Sequence, residues 1–167
     1  MISPGHVQLM AKYNEWQNSS LYRAATSLSD EERKLNRGAF FGSIHGTLNH
    51  LLWGDQTWMS RLDGTPPPGV QGGQASADYY ENWDDLLKER RSFDAIILEW
   101  AERVSQSWLK DDLTWYSGAA GQELSKPKWL LVTHFFNHQT HHRGQVHAML
   151  TQAGAKPEDT DIIVMPE

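Results

Sequence analysis

Apolar residues recur at steps of three and four along four stretches of the chain, the spacing of one buried helix face. From about Gly5 to Ser27 the stripe is Val7, Leu9, Met10, Tyr13, Trp16, Leu21 and Ala24. The second stripe begins near Ser43 and carries Ile44, Leu48, Leu51, Trp58 and Leu62. It stops at Asp63-Gly64, because the run Thr65-Pro66-Pro67-Pro68-Gly69 cannot continue a helix. The third, from about Asn82 to Val104, places Leu86, Leu87, Phe93, Ile96, Ile97 and Trp100 for burial, and Lys88, Glu89, Arg90, Arg91 and Glu102 read as its solvated face. The fourth opens near Pro127, a residue suited to a first turn, and ends around Gly154.

Shorter signals fill the gaps. Ser29 ahead of Asp30, Glu31 and Glu32 has the pattern of a capped short helix. Val70 to Ala77 reads as a loop. Leu113 to Tyr116 and Gln122 to Leu124, separated by Ser117 to Gly121, read as a small hairpin or ordered loop. The apolar tail Asp161 to Pro166 is expected to dock on the body as strand or coil. Four long amphipathic helices predict an all-α four-helix bundle in a single domain over residues 1–167. The long middle connection predicts crossover topology.

Charge and composition then narrow the function. The 167 residues carry 15 Lys+Arg against 21 Asp+Glu, a net charge of −6, which argues against a phosphate-backbone partner. There is no run of about 18 apolar residues to span a membrane, and Met1 to Trp16 does not have the pattern of a signal peptide. Cys is absent, which excludes disulfides, thiolate nucleophiles and Cys-type metal sites and suits a reducing cytoplasm. Eight Trp and eight His stand out against this background. Trp16, Trp58, Trp83 and Trp100 have the spacing of core residues.

Five of the histidines fall between His134 and His147. Two imidazoles four residues apart on a helix can grip one divalent ion. His134/His138 and His138/His142 both have that spacing. At about 100° per residue, His142 lies on the apolar side of His138 and His134 on the other, which favours His138/His142. A third ligand must come from elsewhere, and of His6, His45 and His50 the last flanks the stripe of the second helix, with Gly46, Gly54 and Thr57 leaving room beside it. Trp53 is placed to wall a pocket there. Asp55 is a candidate to orient a ligand imidazole, Gln145 to touch a bound ligand, and Arg143 to make a packing or dimer salt bridge. Trp129 and Phe136 widen the apolar arc of the last helix, which suggests a second subunit on its far side. The donor set suits a divalent transition metal, Zn or Ni first, with Fe or Mn as alternatives.

The segments LNHLLWGDQTW (48–58) and FFNHQTHHRGQVHAML (135–150), with YNEW at 13–16 and the order of helices, resemble the DinB family of DinB/YfiT-like metalloenzymes. The resemblance implies a four-helix bundle, commonly a homodimer, with a three-histidine metal site at His50, His138 and His142. The better-understood relatives to which the resemblance extends look like thiol-dependent enzymes: mycothiol-dependent maleylpyruvate isomerase and bacillithiol S-transferases. A small-molecule substrate, with a low-molecular-weight thiol as partner, is therefore expected, the chemistry being carried by metal-bound thiol or water rather than by an assigned side chain. A metal-dependent hydrolase, with Asp55 or Glu15 as base, and a non-catalytic metal-binding, stress-associated dimer are the alternatives.

Overall fold

A computed structural model of the protein describes residues 1–118 and 120–166, so Ala119, in the expected turn of the hairpin, lies outside the described residues. The elements in order are α1 (Pro4–Thr26), α2 (Asp30–Lys34), α3 (Ile44–Leu62), α4 (Trp83–Arg103), α5 (Gln106–Lys110), β1 (Asp112–Ser117), β2 (Gln122–Pro127) and α6 (Lys128–Gln152). Each of the first five helices starts where a side-chain oxygen accepts a hydrogen bond from an otherwise unpaired N–H: Ser3, Ser29, Ser43, Asn82 and Ser105. Pro127 ends β2 and immediately precedes α6 rather than lying in its first turn. The hairpin is real, with Trp115 paired to Leu124 across the antiparallel ladder.

Contacts at the helix ends fix the topology. Trp83 Nε1 donates to Thr26 Oγ1 at 3.2 Å and Gln8 Nε2 to Glu102 Oε2 at 3.3 Å, so α1 and α4 run antiparallel. His45 lies beside Trp83, and Asp63 pairs with Arg103 at 2.6 Å, so α3 and α4 are parallel. Trp58 meets His134 and His50 meets His142, which makes α3 and α6 antiparallel. The protein is thus a mostly helical four-helix bundle in which residues 63–82 must travel back along α3 before α4 begins. That segment is tied to α3 as it passes: Trp53 Nε1 donates to the Val70 carbonyl at 3.0 Å, and the Tyr80 N–H to Asn49 Oδ1 at 2.7 Å. It is also more ordered than a plain loop, since Gly73–Asp78 forms a 3-10 turn that buries Ser76.

The core holds the expected Leu48, Leu51, Leu86, Phe93, Ile97 and Trp100, joined by Phe135 and Val146 of α6, but several expectations need correction. Leu9 is exposed, and Trp16 and Trp58 are half-buried. Phe136 is buried within the single chain, because α1, α3 and α5 all pack on α6; the breadth of that helix needs no second subunit. The tail does not bury its apolar residues: Ile162, Ile163 and Val164 are exposed, whereas the carbonyls of Asp159 and Thr160 just before them accept from Gln17 and Tyr13.

The largest departure is a polar layer across the middle of the bundle. Arg90, expected at the surface, is 2 % exposed. Its guanidinium pairs with Asp55 at 2.7 Å and Asp94 at 2.8 Å. Asn18 donates to Asp94 at 2.9 Å, Gln139 donates to Asp55 at 2.9 Å, and Arg143 donates to Asn14. All four long helices contribute. Arg143 thus takes the packing role of the two expected for it; it lies over the Tyr13 ring, and burial pushes its pKa down to about 10. Burial likewise raises the carboxyl pKa of Asp55 and Asp94, opposed in each by Arg90.

Candidate metal centre

Where α3 crosses α6, the imidazoles of His50, His138 and His142 converge, each offering one ring nitrogen within 4.8 Å of the other two. His50 Nε2 and His138 Nε2 are 3.2 Å apart, a separation at which two nitrogens share a proton or a common ion. The ring centroids of His138 and His142 lie 4.6 Å apart, as the four-residue spacing on α6 dictates. No carboxylate belongs to this group among the described residues. The other histidines do not join it. His45 bonds the Tyr80 carbonyl at 2.8 Å, and His134 is exposed against Trp58.

Hydrogen bonds fix which nitrogen of two rings is free. Ser76 Oγ donates its hydrogen to the Gly73 carbonyl at 2.6 Å, so at 2.8 Å from His50 Nδ1 it can only accept. His50 is therefore protonated on Nδ1, leaving the Nε2 lone pair pointed at the trio. His142 Nδ1 donates in the same way to Gln145 Oε1 at 2.8 Å, while Gln145 Nε2 faces His141 Nε2 at 3.3 Å. Partners of this kind orient metal-binding imidazoles and select their tautomer. His138 is held by packing instead. A Cβ at position 54 would come within 2.8 Å of its Cε1, so the ring occupies the space that Gly54 leaves in α3. The room beside Gly46 is likewise taken, by the Phe41 carbonyl. Phe41 stacks on the His50 ring at 3.7 Å between centroids and closes that side of the centre.

Gln145 contacts a trio histidine as its position suggested, and Trp53 walls the site at 5.7 Å from the His50 ring. Asp55 does not orient an imidazole. Its two oxygens are committed to Arg90 and Gln139, one layer deeper in the bundle. Ser76 and Phe41 lie in segments with no periodicity, and no sequence signal points to either.

The electrostatics favour donors over charges. Burial, reinforced by the neighbouring imidazoles, pushes the His50 pKa down to about 4 and that of His138 to about 3, and lowers His142 as well. All three rings are neutral at pH 7, so protons do not compete for their lone pairs. Three ordinary imidazoles would be mostly protonated at pH 5.5 and would lose roughly a thousandfold in metal affinity. Zinc titrations at pH 7.0 and 5.5 are expected to differ by less than tenfold here; a loss of a hundredfold or more contradicts the neutral-donor picture. Three neutral nitrogens from two helices, with the tautomer already selected in His50 and His142, fit a divalent transition-metal ion and leave coordination positions open.

Comparison with known proteins places the chain in a family. Residues 1–167 match the DinB family over the whole chain. The chain belongs to the DinB family. It is 26% identical over 156 residues to Protein DinB of Bacillus subtilis (strain 168), covering 90% of this chain and 87% of that one. The crystal structure of a DinB-like protein from Bacillus cereus ATCC 10987 superposes with a TM-score of 0.62 at 16% identity, over 86% of this chain and 90% of the other. That likeness shows a DinB-like fold. In this DinB-family chain the trio joins the start of α3 to the middle of α6, and no helix among the described residues is long and apolar enough to cross a membrane.

Proposed function

We propose that His50, His138 and His142 hold a divalent transition-metal ion, Zn or Ni before Fe or Mn, and that the protein is a thiol-dependent transferase or isomerase using a low-molecular-weight thiol. The observation that carries the reading is the donor set itself: three neutral imidazoles, open on one side, in a chain without Cys. When bound, the ion supplies positive charge that favours the thiolate form of an incoming thiol. The chain's own part is to aim the lone pairs through Ser76 and Gln145, to exclude water with Phe41 and Trp53, and to hold the rings neutral by burial. The sulfur must come from a small molecule because the protein has none to offer as a thiol. The metal-dependent hydrolase reading loses its base: Asp55 is locked to Arg90, and Glu15 is exposed on α1. A homodimer and a cytoplasmic setting belong to the same proposal, supported by the family relationship and the absence of Cys.

The test uses zinc- and nickel-loaded protein with glutathione or cysteine and 1-chloro-2,4-dinitrobenzene. Sulfur replaces chloride on the ring, and the thiol proton and chloride are released. About one ion per chain and conjugate formation above the rate of chelator-treated protein are expected. Bound metal without conjugation by any thiol and electrophile tried would leave a non-catalytic metal-binding protein, and no uptake of metal would remove the centre altogether.

A further inference from the structure

A cavity of about 650 Å³ opens against the metal centre. Such a volume suits a small organic ligand. Gly54, Thr57, Trp58 and Arg61, on one face of α3, form its floor; His134 and His138 of α6 form one side; and Trp115 of β1 and residues 71–73 of the crossover segment close it. His138 belongs both to this lining and to the trio, so the cavity is continuous with the centre.

Two properties of the lining point to the chemistry of an occupant. Trp53, Trp58 and Trp115 present three indole rings to one space, which is a surface for a flat apolar group. The lining contains no Asp or Glu, and its single fixed charge is Arg61. That guanidinium lies over the Trp58 ring at 4.9 Å and the Trp115 ring at 6.0 Å, and it makes no ion pair among the described residues. Other arginines near the helix ends are matched by carboxylates, as Arg103 is by Asp63 and Arg23 by Glu158. A half-buried cation held between aromatic faces without a counter-ion has its strongest available partner still to come. Desolvation alone lowers the Arg61 pKa, with no neighbouring carboxylate to offset it.

We propose that this cavity binds an aromatic carboxylate, its ring among Trp53, Trp58 and Trp115 and its carboxylate on Arg61, so that Arg61 determines specificity for an anionic electrophile. The proposal rests on the reading above in one respect, that the trio is the reacting end. Binding itself does not depend on a metal.

The test is therefore made on chelator-treated protein, where an ion cannot attract the carboxylate. Quenching of tryptophan fluorescence is followed with 2-naphthoate and with the neutral 2-naphthamide. Wild type is expected to bind naphthoate at least tenfold more tightly than the amide, Arg61→Met to bind both alike, and Arg61→Lys to keep part of the preference. Trp115→Phe is expected to reduce the quench, which locates the probe. Equal affinity of wild type for the two probes overturns the proposal, as does absence of quenching by either. The wild-type comparison decides even if Arg61→Met fails to fold, which its circular dichroism melt would show. Anion preference in a protein that takes up no metal would leave this cavity standing and remove the metal centre; metal uptake without anion preference would do the reverse.

Discussion

His138→Ala is expected to abolish stoichiometric metal binding while leaving the bundle intact. A structural zinc site of four ligands contributes roughly 10–16 kcal/mol, so one ligand is worth on the order of 3 kcal/mol and its loss costs at least about a hundredfold in affinity. His138 is central to the trio, facing His50 at 3.2 Å and His142 one turn along α6. It is not part of the apolar core and lies on the wall of an open cavity, so the metal-free melting temperature should move by no more than a few degrees. His134→Ala is the control, because His134 has the same four-residue spacing to His138 but faces Trp58 instead of the centre. Elemental analysis of dialysed wild type and the two variants checks both. Equal loss of metal in His134→Ala would mean that the centre is built from the other pair.

Arg90→Leu is expected to be the most damaging substitution to stability. The side chain is fully enclosed between Asp55 and Asp94, themselves 1 % and 5 % exposed. Removing Arg90, the only cation among the described residues paired with both, leaves two buried carboxylates without a counter-charge, a loss of about 3–5 kcal/mol. For a chain of this size that corresponds to a fall of roughly 6–20 °C in melting temperature. Asp94→Asn should be milder, since Asp55 stays paired. A thermal melt followed by circular dichroism distinguishes them, and an Arg90→Leu protein as stable as wild type would show that the polar layer contributes nothing net.

These two sites differ in how far the sequence revealed them. The helices were legible because caps and stripes coincide: Ser43 and Asn82 start α3 and α4 within a residue of where the apolar period begins. The short helix Gln106–Lys110 went unread although Ser105 offers the same cap, because it lacks the acidic first turn that marks Asp30–Lys34. The trio was legible because two of its members sit at helical spacing and the third flanks a stripe. The polar layer was not, because charged residues are read as solvated by default. Yet Arg90 continues the series Leu86, Phe93, Ile97 and Trp100, and Asn14 and Asn18 continue Val7, Ala11, Leu21 and Ala25, so each lies on the buried face of its helix. Position on the stripe, rather than residue type, carried the information. Ser76 and Arg61 acquire their roles only when the crossover segment and the hairpin are folded against α3, and nothing local predicts that.

Gly54 ties two distant positions into one unit of inheritance. A glycine inside a helix costs about 1 kcal/mol against alanine, so drift alone would replace it. What resists replacement is a ring carried by another helix, whose Cε1 stands 2.8 Å from where the new methyl would go. Related chains with a side chain at this position should therefore have lost or moved the histidine opposite, and those that keep the histidine should keep the glycine. Substitutions at the two sites are expected to appear as pairs.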